Sequence, residues 1–437
     1  MKAVSPHNSV LFVLVFTLLV PLCLYRGPLN VFGLGAGVSG VLIATGIYPA
    51  AAVLGMATSY NQVFGVADLT STQTAAPGGF PDYTYVRTLL TPSQLKYNPT
   101  GEIIFPCVRG VHDKLSTPLG RYYLYYGPHD APGGICLAYG NSLERPFTEY
   151  PDNPIVANYW QPHYSVSHVA SPHVMWHAST KELWLYFHGE NTTTRLARSK
   201  DGINFTYDKV VLSTSMLPSG TTETSYARVF PHELPSRGAH HVMVFMLDNT
   251  TDHRDIHWGW SADGRTWTYD QQPLIRHSDV SAVNVGGPHL LYRDNSTYVV
   301  YNMDKESGGD LMITEVGNDF SRRNHLGVFY NSRSSAPENC RAAAPSFGTD
   351  GGVPYMIYEA GERLSGSIAM ARGRQQRSSS VERHASDESV CALRRNAWAD
   401  GGPGARAMLH AGTVEEPSDM SFRRARLSAR WPGHARA

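Results

Sequence analysis

Short runs of alternating apolar and polar residues recur between about residues 85 and 372, and helical periodicity is almost absent there. Runs such as GRYYLYYG (120–127) and KELWLYFHG (181–189) are rich in aromatic and aliphatic residues at the spacing of half-buried β-strands. Gly, Pro, Asn and Asp separate the runs, as expected of turns. The pattern predicts an all-β domain made of short strands.

One unit repeats five times along this region. Its first strand reads IIFPCVR, ASPHVMW, TSYARVF, GGPHLLY and AAAPSFG, and the copies are spaced by about 56 to 66 residues. A second and a third strand follow, and then a turn such as SKDGINFTY or SADGRTWTY, where Asp-Gly favours a tight turn. Four short strands at this period predict a five-bladed β-propeller. A β-sandwich does not predict a repeated four-strand unit, and a parallel β-helix needs a much shorter period.

The first strand of each blade lines the central channel of a propeller, so equivalent positions of the five copies converge on one axis. These positions carry Arg109, His173, Arg228, His289 and Arg341. We expect this polar set to orient a substrate, with His188 at the border of the funnel. The alternative is that these side chains only satisfy backbone carbonyls, but several buried cations without a purpose are costly.

The two ends of the chain differ from the repeat. Residues 1–56 contain Lys2 and the apolar run VLFVLVFTLLVPLCLY, which indicates a signal peptide or signal anchor. The run is shorter than the roughly 20 residues of a membrane span, which favours export. We assign 57–84 to a linker, 85–373 to the propeller and 374–437, rich in Arg, Ala, Ser and Gly, to a disordered tail. Four glycosylation sequons agree with secretion: Asn191, Asn204, Asn249 and Asn295.

Composition narrows the choice of partner. The formal net charge is 0 and only 17 % of residues are charged, which argues against nucleic acid as a partner. The five cysteines show no CxxC or Cys/His spacing, so we predict neither a metal nor another cofactor. We expect a monomer that acts on a small or neutral molecule.

The x-P-[SHC]-V first strands, the YYLYY-type second strands and the S-x-D-G-x-x-[FW] turns resemble the five-bladed propeller glycoside hydrolases of the arabinanase, β-xylosidase and invertase type. In that group an acid in the first blade is base or nucleophile, an Asp in the second tunes pKa, and a Glu in the third is the general acid. The resemblance implies that Glu223 of TTETSYARVF is the general acid. The other two acids are replaced by Phe105 and His173, so we predict Asp130 as the base, with Asp113 as the alternative.

This resemblance predicts a secreted glycoside hydrolase that cleaves oligo- or polysaccharides with a pair of carboxylates. Two alternatives stay open. One is a uronate lyase in which His173 or His289 abstracts a proton or, with His168, binds a metal, while arginines clamp the sugar carboxylate. The other is a carbohydrate-binding propeller without catalysis. A hydrolase needs two carboxyls about 5–10 Å apart, a lyase needs a His or Lys beside an Arg clamp, and a binding module needs neither.

Overall fold

The computed structural model of the protein describes residues 77–128, 130–249, 253–305 and 308–374. These residues form β-strands joined by turns and by 3₁₀ turns of three or four residues. Five four-stranded antiparallel sheets make a five-bladed propeller, as predicted. In this part of the chain no helix has the length and apolar character that crossing a bilayer requires. The predicted leader, most of the predicted linker and the predicted tail after Arg374 lie outside the described residues.

The chain enters the propeller through β1 (Asp82–Leu90) and then builds the blades in order. Blade 1 consists of β2 (Ile104–Gly110), β3 (Tyr122–Gly127), β4 (Cys136–Gly140) and β5 (Thr148–Glu149). A small hairpin follows, with β6 (Tyr159–Trp160) and β7 (Tyr164–Ser165). Blade 2 consists of β8 (Val169–His177), β9 (Glu182–Gly189), β10 (Thr193–Ser199) and β11 (Thr206–Ser213).

The other three blades follow the same plan. Blade 3 consists of β12 (Thr221–Leu234), β13 (Ala239–Asn249), β14 (Arg254–Ser261) and β15 (Thr268–Tyr269). Blade 4 consists of β16 (Asn284–Arg293), β17 (Ser296–Lys305), β18 (Gly308–Glu315) and β19 (Asn324–Tyr330). Blade 5 consists of β20 (Ala342–Asp350), β21 (Val353–Ala360), β22 (Ser367–Arg374) and, as its outermost strand, β1. Pairing of β1 with β22 closes the propeller with the start of the repeat region.

The apolar core lies between neighbouring blades, in five separate clusters. Successive side chains of a strand point to opposite faces. In β3, for example, Tyr125 packs toward blade 2 with Leu185, and Tyr126 packs toward blade 5 with Ile357. Both faces of the strand are therefore buried, which explains why the second strands read as nearly continuous apolar runs.

The two Asp-Gly turns predicted from the sequence are confirmed. Asp201 accepts hydrogen bonds from the backbone of Ile203 and Asn204, both at 2.8 Å, and Asp263 does the same for its own turn. The glycine carbonyl of each turn accepts a tyrosine hydroxyl from the preceding blade, with Tyr125 donating to Gly202 and Tyr186 to Gly264, each at 2.9 Å. The turns therefore join neighbouring blades.

Each inner strand contains one bulge at the same place. The bulge residues have positive φ, a backbone conformation uncommon outside glycine, and the strand register shifts there: Phe105 (52°), Ser171 (54°), Tyr226 (55°), Gly287 (55°) and Ala344 (44°). Proline follows in four of the five strands. The bulges lie near the end of the axis where the inner strands begin, which we call the mouth, and they divide the axis into two levels.

Candidate active site

A polar cleft opens at the mouth, over blades 3, 4 and 5. Its floor includes the bulge residues Tyr226, Gly287 and Ala344. Its walls carry three arginines and two acids: Arg254, Arg341, Arg363, Asp304 and Glu359. The cavity volume is about 30 Å³, which is enough for two or three water molecules. Charged side chains therefore fill most of the mouth.

Glu359 lies at the bottom of this cleft and is only 4 % exposed. One carboxylate oxygen accepts the backbone N–H of Phe105 at 2.8 Å, and the other accepts Nη2 of Arg341 at 2.9 Å. Arg341, predicted to face the channel, also donates to the carbonyl of Gly361 at 3.1 Å. These contacts fix a buried carboxylate of blade 5 against the bulge of blade 1.

Glu223, the predicted general acid, lies half-buried near the start of β12. Its carboxylate accepts the Ser225 hydroxyl at 2.7 Å and Nη2 of Arg254 at 3.2 Å. Arg254 also lies 3.7 Å from a carboxylate oxygen of Asp248. Glu223 is thus held beside the cleft by an arginine that lines it.

Tyr226 lines the same cleft as Arg254 and Glu359. Burial is the main cause that raises the pKa of its hydroxyl, Arg363 opposes the shift, and Glu359 and Glu223 add to it. Of these cleft residues, Arg254 binds Glu223. The predicted acid Glu223 therefore lies at the edge of a cleft that contains a second carboxylate, Glu359, which was not predicted from the sequence.

His188, predicted to border the funnel, is buried at the end of β9. Its Nδ1 lies 3.4 Å from the backbone nitrogen of Tyr226, and the two rings are 5.6 Å apart. His168 lies on its other side, with ring centroids 6.0 Å apart. His188 therefore supports the floor of the cleft from blade 2.

The remaining predicted channel residues lie deeper. The rings of Phe105 and Tyr226 are 5.1 Å apart and close the axis below the cleft. His173, Arg228 and His289 follow two residues after the bulge of their strands and are 0 %, 0 % and 5 % exposed. None of the three lines the mouth cleft. Their role in orienting a sugar stays a prediction, and the structure places them beneath the floor.

This buried level has its own contacts. Nε2 of His173 lies 2.8 Å from the carbonyl of Val229 and 3.2 Å from Nη2 of Arg109. The ring centroids of His173 and His289 are 6.5 Å apart. Burial, together with Arg109 and Arg228, holds the pKa of both histidines well below its usual range. Both rings are therefore neutral at physiological pH.

The other predicted residues lie apart from the cleft. Asp130 is exposed in the loop that follows β3, at the mouth end of blade 1, and its role as base stays a prediction. Asp113 follows β2 at the opposite end of the axis and pairs with Lys114 at 2.8 Å. His168 lies at the mouth and His173 beneath the floor, and among residues of the described ranges no three His, Cys, Asp or Glu side chains are placed to hold a metal.

Glu359, Arg254 and Arg363 were not predicted because they do not lie on inner strands. A pattern in the second strands nevertheless points to Glu359. In three copies a polar residue interrupts the apolar run near the end of the second strand and pairs with the residue just before the bulge: His188 with Ala170, Asn302 with Gly286, and Glu359 with Ala343. Aligning the second strands as carefully as the first would have pointed to Glu359.

Comparison with solved structures shows which known proteins share this fold. No protein-family model and no curated protein matches the chain. Among solved structures, a protein designated BT0996, solved as an RGII complex, is similar with a TM-score of 0.53 and 16 % identity over 70 % of this protein and 96 % of that one. A glycoside hydrolase is similar with a TM-score of 0.50 and 15 % identity over 75 % of this protein and 97 % of that one. At these identities the likeness confirms the predicted resemblance in fold to propeller glycoside hydrolases.

Proposed function

We propose that the protein hydrolyses a glycosidic bond of an oligo- or polysaccharide at the mouth cleft. The observation that carries this proposal is that Glu359 lines the cleft and that Glu223 pairs with Arg254, an arginine of the same cleft. Glycoside hydrolysis in its usual form needs two carboxyl groups that flank the scissile bond. The fold-level likeness to a glycoside hydrolase supports the same class of reaction.

In this proposal Glu223 protonates the leaving oxygen and Glu359 acts on the opposite side of the sugar. Glu359 suits the second role because it is fixed by the backbone of Phe105 and by Arg341. Glu223 has to release Arg254 when it delivers a proton, since that pair occupies one of its oxygens. Tyr226, which lines the cleft, offers a ring on which a sugar face can pack, and a hydroxyl for orientation.

The charges at the mouth favour a neutral sugar. The three arginines of the cleft face five carboxylates, those of Glu102, Glu223, Asp248, Asp304 and Glu359. Each arginine already has an acidic neighbour, so none is left to clamp the carboxylate of a uronate. The lyase alternative also needs a histidine beside such a clamp, whereas His173 and His289 lie beneath the floor.

A sugar ring requires more room than the cleft of about 30 Å³ provides. Arg363 lies on the turn between β21 and β22, and its Nε is 3.3 Å from the buried carboxylate of Glu102. The Arg363 side chain is 42 % exposed, and it can swing toward solvent more readily than the buried walls can move. We therefore include displacement of Arg363 in the proposed binding step.

The test is an assay of the full chain, wild type beside Glu223→Gln, Glu359→Gln and the control Glu233→Gln. Glu233 is also on β12, but its side chain is 72 % exposed and pairs only with His240. Neutral and uronate-containing oligosaccharides are supplied in parallel, and reducing ends and the absorbance of unsaturated products are followed. We expect new reducing ends with neutral substrates, reduced by about 10² to 10⁴-fold in both cleft variants and unchanged in the control.

Other results would overturn the proposal in distinct ways. Unsaturated products from uronates would establish the lyase. Saturable sugar binding without turnover would establish a binding propeller, for which the replacement of one expected acid by Phe105 already gives a reason. A wild-type activity that survives both glutamate changes and disappears in Asp130→Asn would move the base to the loop of blade 1.

We further propose that the protein acts outside the cell as a monomer. The four sequons lie in turns or at a strand end: Asn191, Asn204, Asn249 and Asn295. Asn204 and Asn295 are exposed. Expression in a secreting host, with glycosidase treatment of the product and size-exclusion chromatography with light scattering, checks these points.

A further inference from the structure

Arg228 is a fully buried cation beneath the floor of the cleft. Its side chain is 0 % exposed, and Cζ lies 4.2 Å from the centre of the Phe105 ring. Nη2 donates to the carbonyls of Pro106 at 3.2 Å and Ala344 at 3.1 Å. Nε and Nη1 are buried and have no hydrogen-bond partner in the described part of the chain. Leaving charged donors unpaired in the interior costs several kcal/mol, so a partner is expected there.

Among the described residues, no acidic side chain accepts a hydrogen bond from Arg228. Arg109 is a second cation, and it donates to the carbonyls of Val108 and Val174. His173 and His289 are neutral, as argued above. The acidic groups that act on Arg228 are Cys107 and Glu359. Glu359 is already held by Phe105 and Arg341.

Burial lowers the pKa of Arg228 to about 9, with Cys107 and Glu359 opposing the shift and Arg109 adding to it. The guanidinium therefore still carries its proton at neutral pH. A water molecule could accept from Arg228 and donate to Nδ1 of His289, which is also buried and has no partner among the described residues. Water would satisfy the hydrogen bonds but bring no negative charge into this low-dielectric interior.

We propose that a small monovalent inorganic anion of the halide type binds on the propeller axis beneath Phe105, accepting hydrogen bonds from Nε and Nη1 of Arg228. An anion with a single negative charge is enough to neutralise this level of the axis. Arg228 is the one fully buried cation there in the described chain, and Arg109 is only half-buried. A site closed above by Phe105 and Tyr226 favours a monatomic ion over a larger oxyanion. The anion would anchor inner strands of blades 1, 3 and 5, and this role is independent of the sugar chemistry at the mouth.

The first test is thermal unfolding of the full chain after exchange into halide-free gluconate buffer. Chloride then replaces gluconate at constant ionic strength. We expect a saturable rise in Tm of about 4 °C or more, reproduced by bromide. In Arg228→Met, which keeps the length of the side chain without its charge, the rise disappears, whereas Arg145→Met at an exposed position retains it. A Tm that ignores the identity of the anion, or a rise that persists in Arg228→Met, overturns the proposal.

A second measurement covers the case in which Arg228→Met does not fold. Wild-type crystals grown with bromide should show an anomalous difference peak within hydrogen-bonding distance of Arg228. Water-like density without an anomalous signal overturns the anion. A thiolate absorbance at neutral pH that is lost in Cys107→Ala would show instead that Cys107 provides the negative charge, and it would likewise overturn the proposal.

Discussion

The buried histidines of the axis make the stability of the propeller dependent on pH. Burial first, and then Arg109 and Arg228, hold the pKa of His173 and His289 well below its usual range. In the unfolded chain both titrate near pH 6.5. Because the folded pKa is the lower one, the unfolded state binds more protons as the pH falls below about 6.5. The stabilisation is therefore complete above that pH and is lost progressively below it.

The size of this effect follows from proton linkage. Between pH 7 and pH 5 each histidine that stays neutral in the folded state costs about 2 kcal/mol, so the pair costs about 4 kcal/mol. We would measure the free energy of unfolding with urea at a series of pH values and a fixed chloride concentration. In His289→Gln we expect the loss between pH 7 and pH 5 to be smaller by about 2 kcal/mol. The control is His240→Gln, since the His240 side chain is 60 % exposed.

One result would refute this reasoning. If wild type and His289→Gln differ by the same free energy of unfolding at pH 7 and at pH 5, the ring of His289 is not a neutral buried group. Acidic groups elsewhere also titrate as the pH falls, but they are common to both proteins and cancel in the difference. His240→Gln should keep the wild-type loss of free energy of unfolding between pH 7 and pH 5, because that ring is exposed and lies away from the axis.

Three further changes test contacts of the fold by urea unfolding. Gly287→Ala should cost about 3 kcal/mol or more, because φ is 55° and the new Cβ would lie 2.5 Å from Oδ1 of Asn302. Its control is Gly238→Ala, where φ is a similar 58° but no atom of the described chain lies within 4 Å of the new Cβ, so that the cost should be about 1 kcal/mol. Tyr186→Phe should cost about 1–3 kcal/mol by leaving the Gly264 carbonyl without its 2.9 Å hydrogen bond, and Tyr159→Phe at an exposed position should cost almost nothing. Glu338→Gln should cost about 2–4 kcal/mol, because this fully buried carboxylate accepts from Tyr330 at 2.7 Å and pairs with Arg333. Equal losses in Gly287→Ala and Gly238→Ala, or in Tyr186→Phe and Tyr159→Phe, would contradict the corresponding contact, and so would a loss well below about 2 kcal/mol in Glu338→Gln.

The fold could be predicted because each blade is a local unit with its own strand pattern and turn. Asp201 and Asp263 form the turns expected of them, and Pro106 and its equivalents mark the bulges of the inner strands. The place of β1 could not be predicted in the same way. Its pairing with β22 joins residues almost 300 positions apart, such as Asp82 and Arg374, and no local signal records such a contact.

The site was predicted less completely because the depth of a residue along the axis depends on backbone conformation. His173 and Arg228 occupy the channel positions expected of them, but the bulge residues Phe105 and Tyr226, which have positive φ, bring their rings together across the axis. The channel residues that were expected at one level of the axis therefore lie partly at the mouth and partly in the buried cluster beneath its floor. Arg254 and Arg363 reach the mouth from an outer strand and a turn, and a search along inner strands does not find them.

Phe105 connects the mouth of the axis with the buried cluster beneath it. It occupies the position at which the resembling hydrolases carry the acid of the first blade. Its ring supports the guanidinium of Arg228 from one side, and its backbone N–H donates to Glu359 from the other. The carboxylate of Glu359 therefore approaches the backbone of the very residue at which the resembling hydrolases carry an acid. Under the proposed function, the second strand of blade 5 would supply the carboxylate that the inner strand of blade 1 lacks. If Glu359 performs the chemistry, the acid has moved to a neighbouring strand while its place at the mouth has been kept.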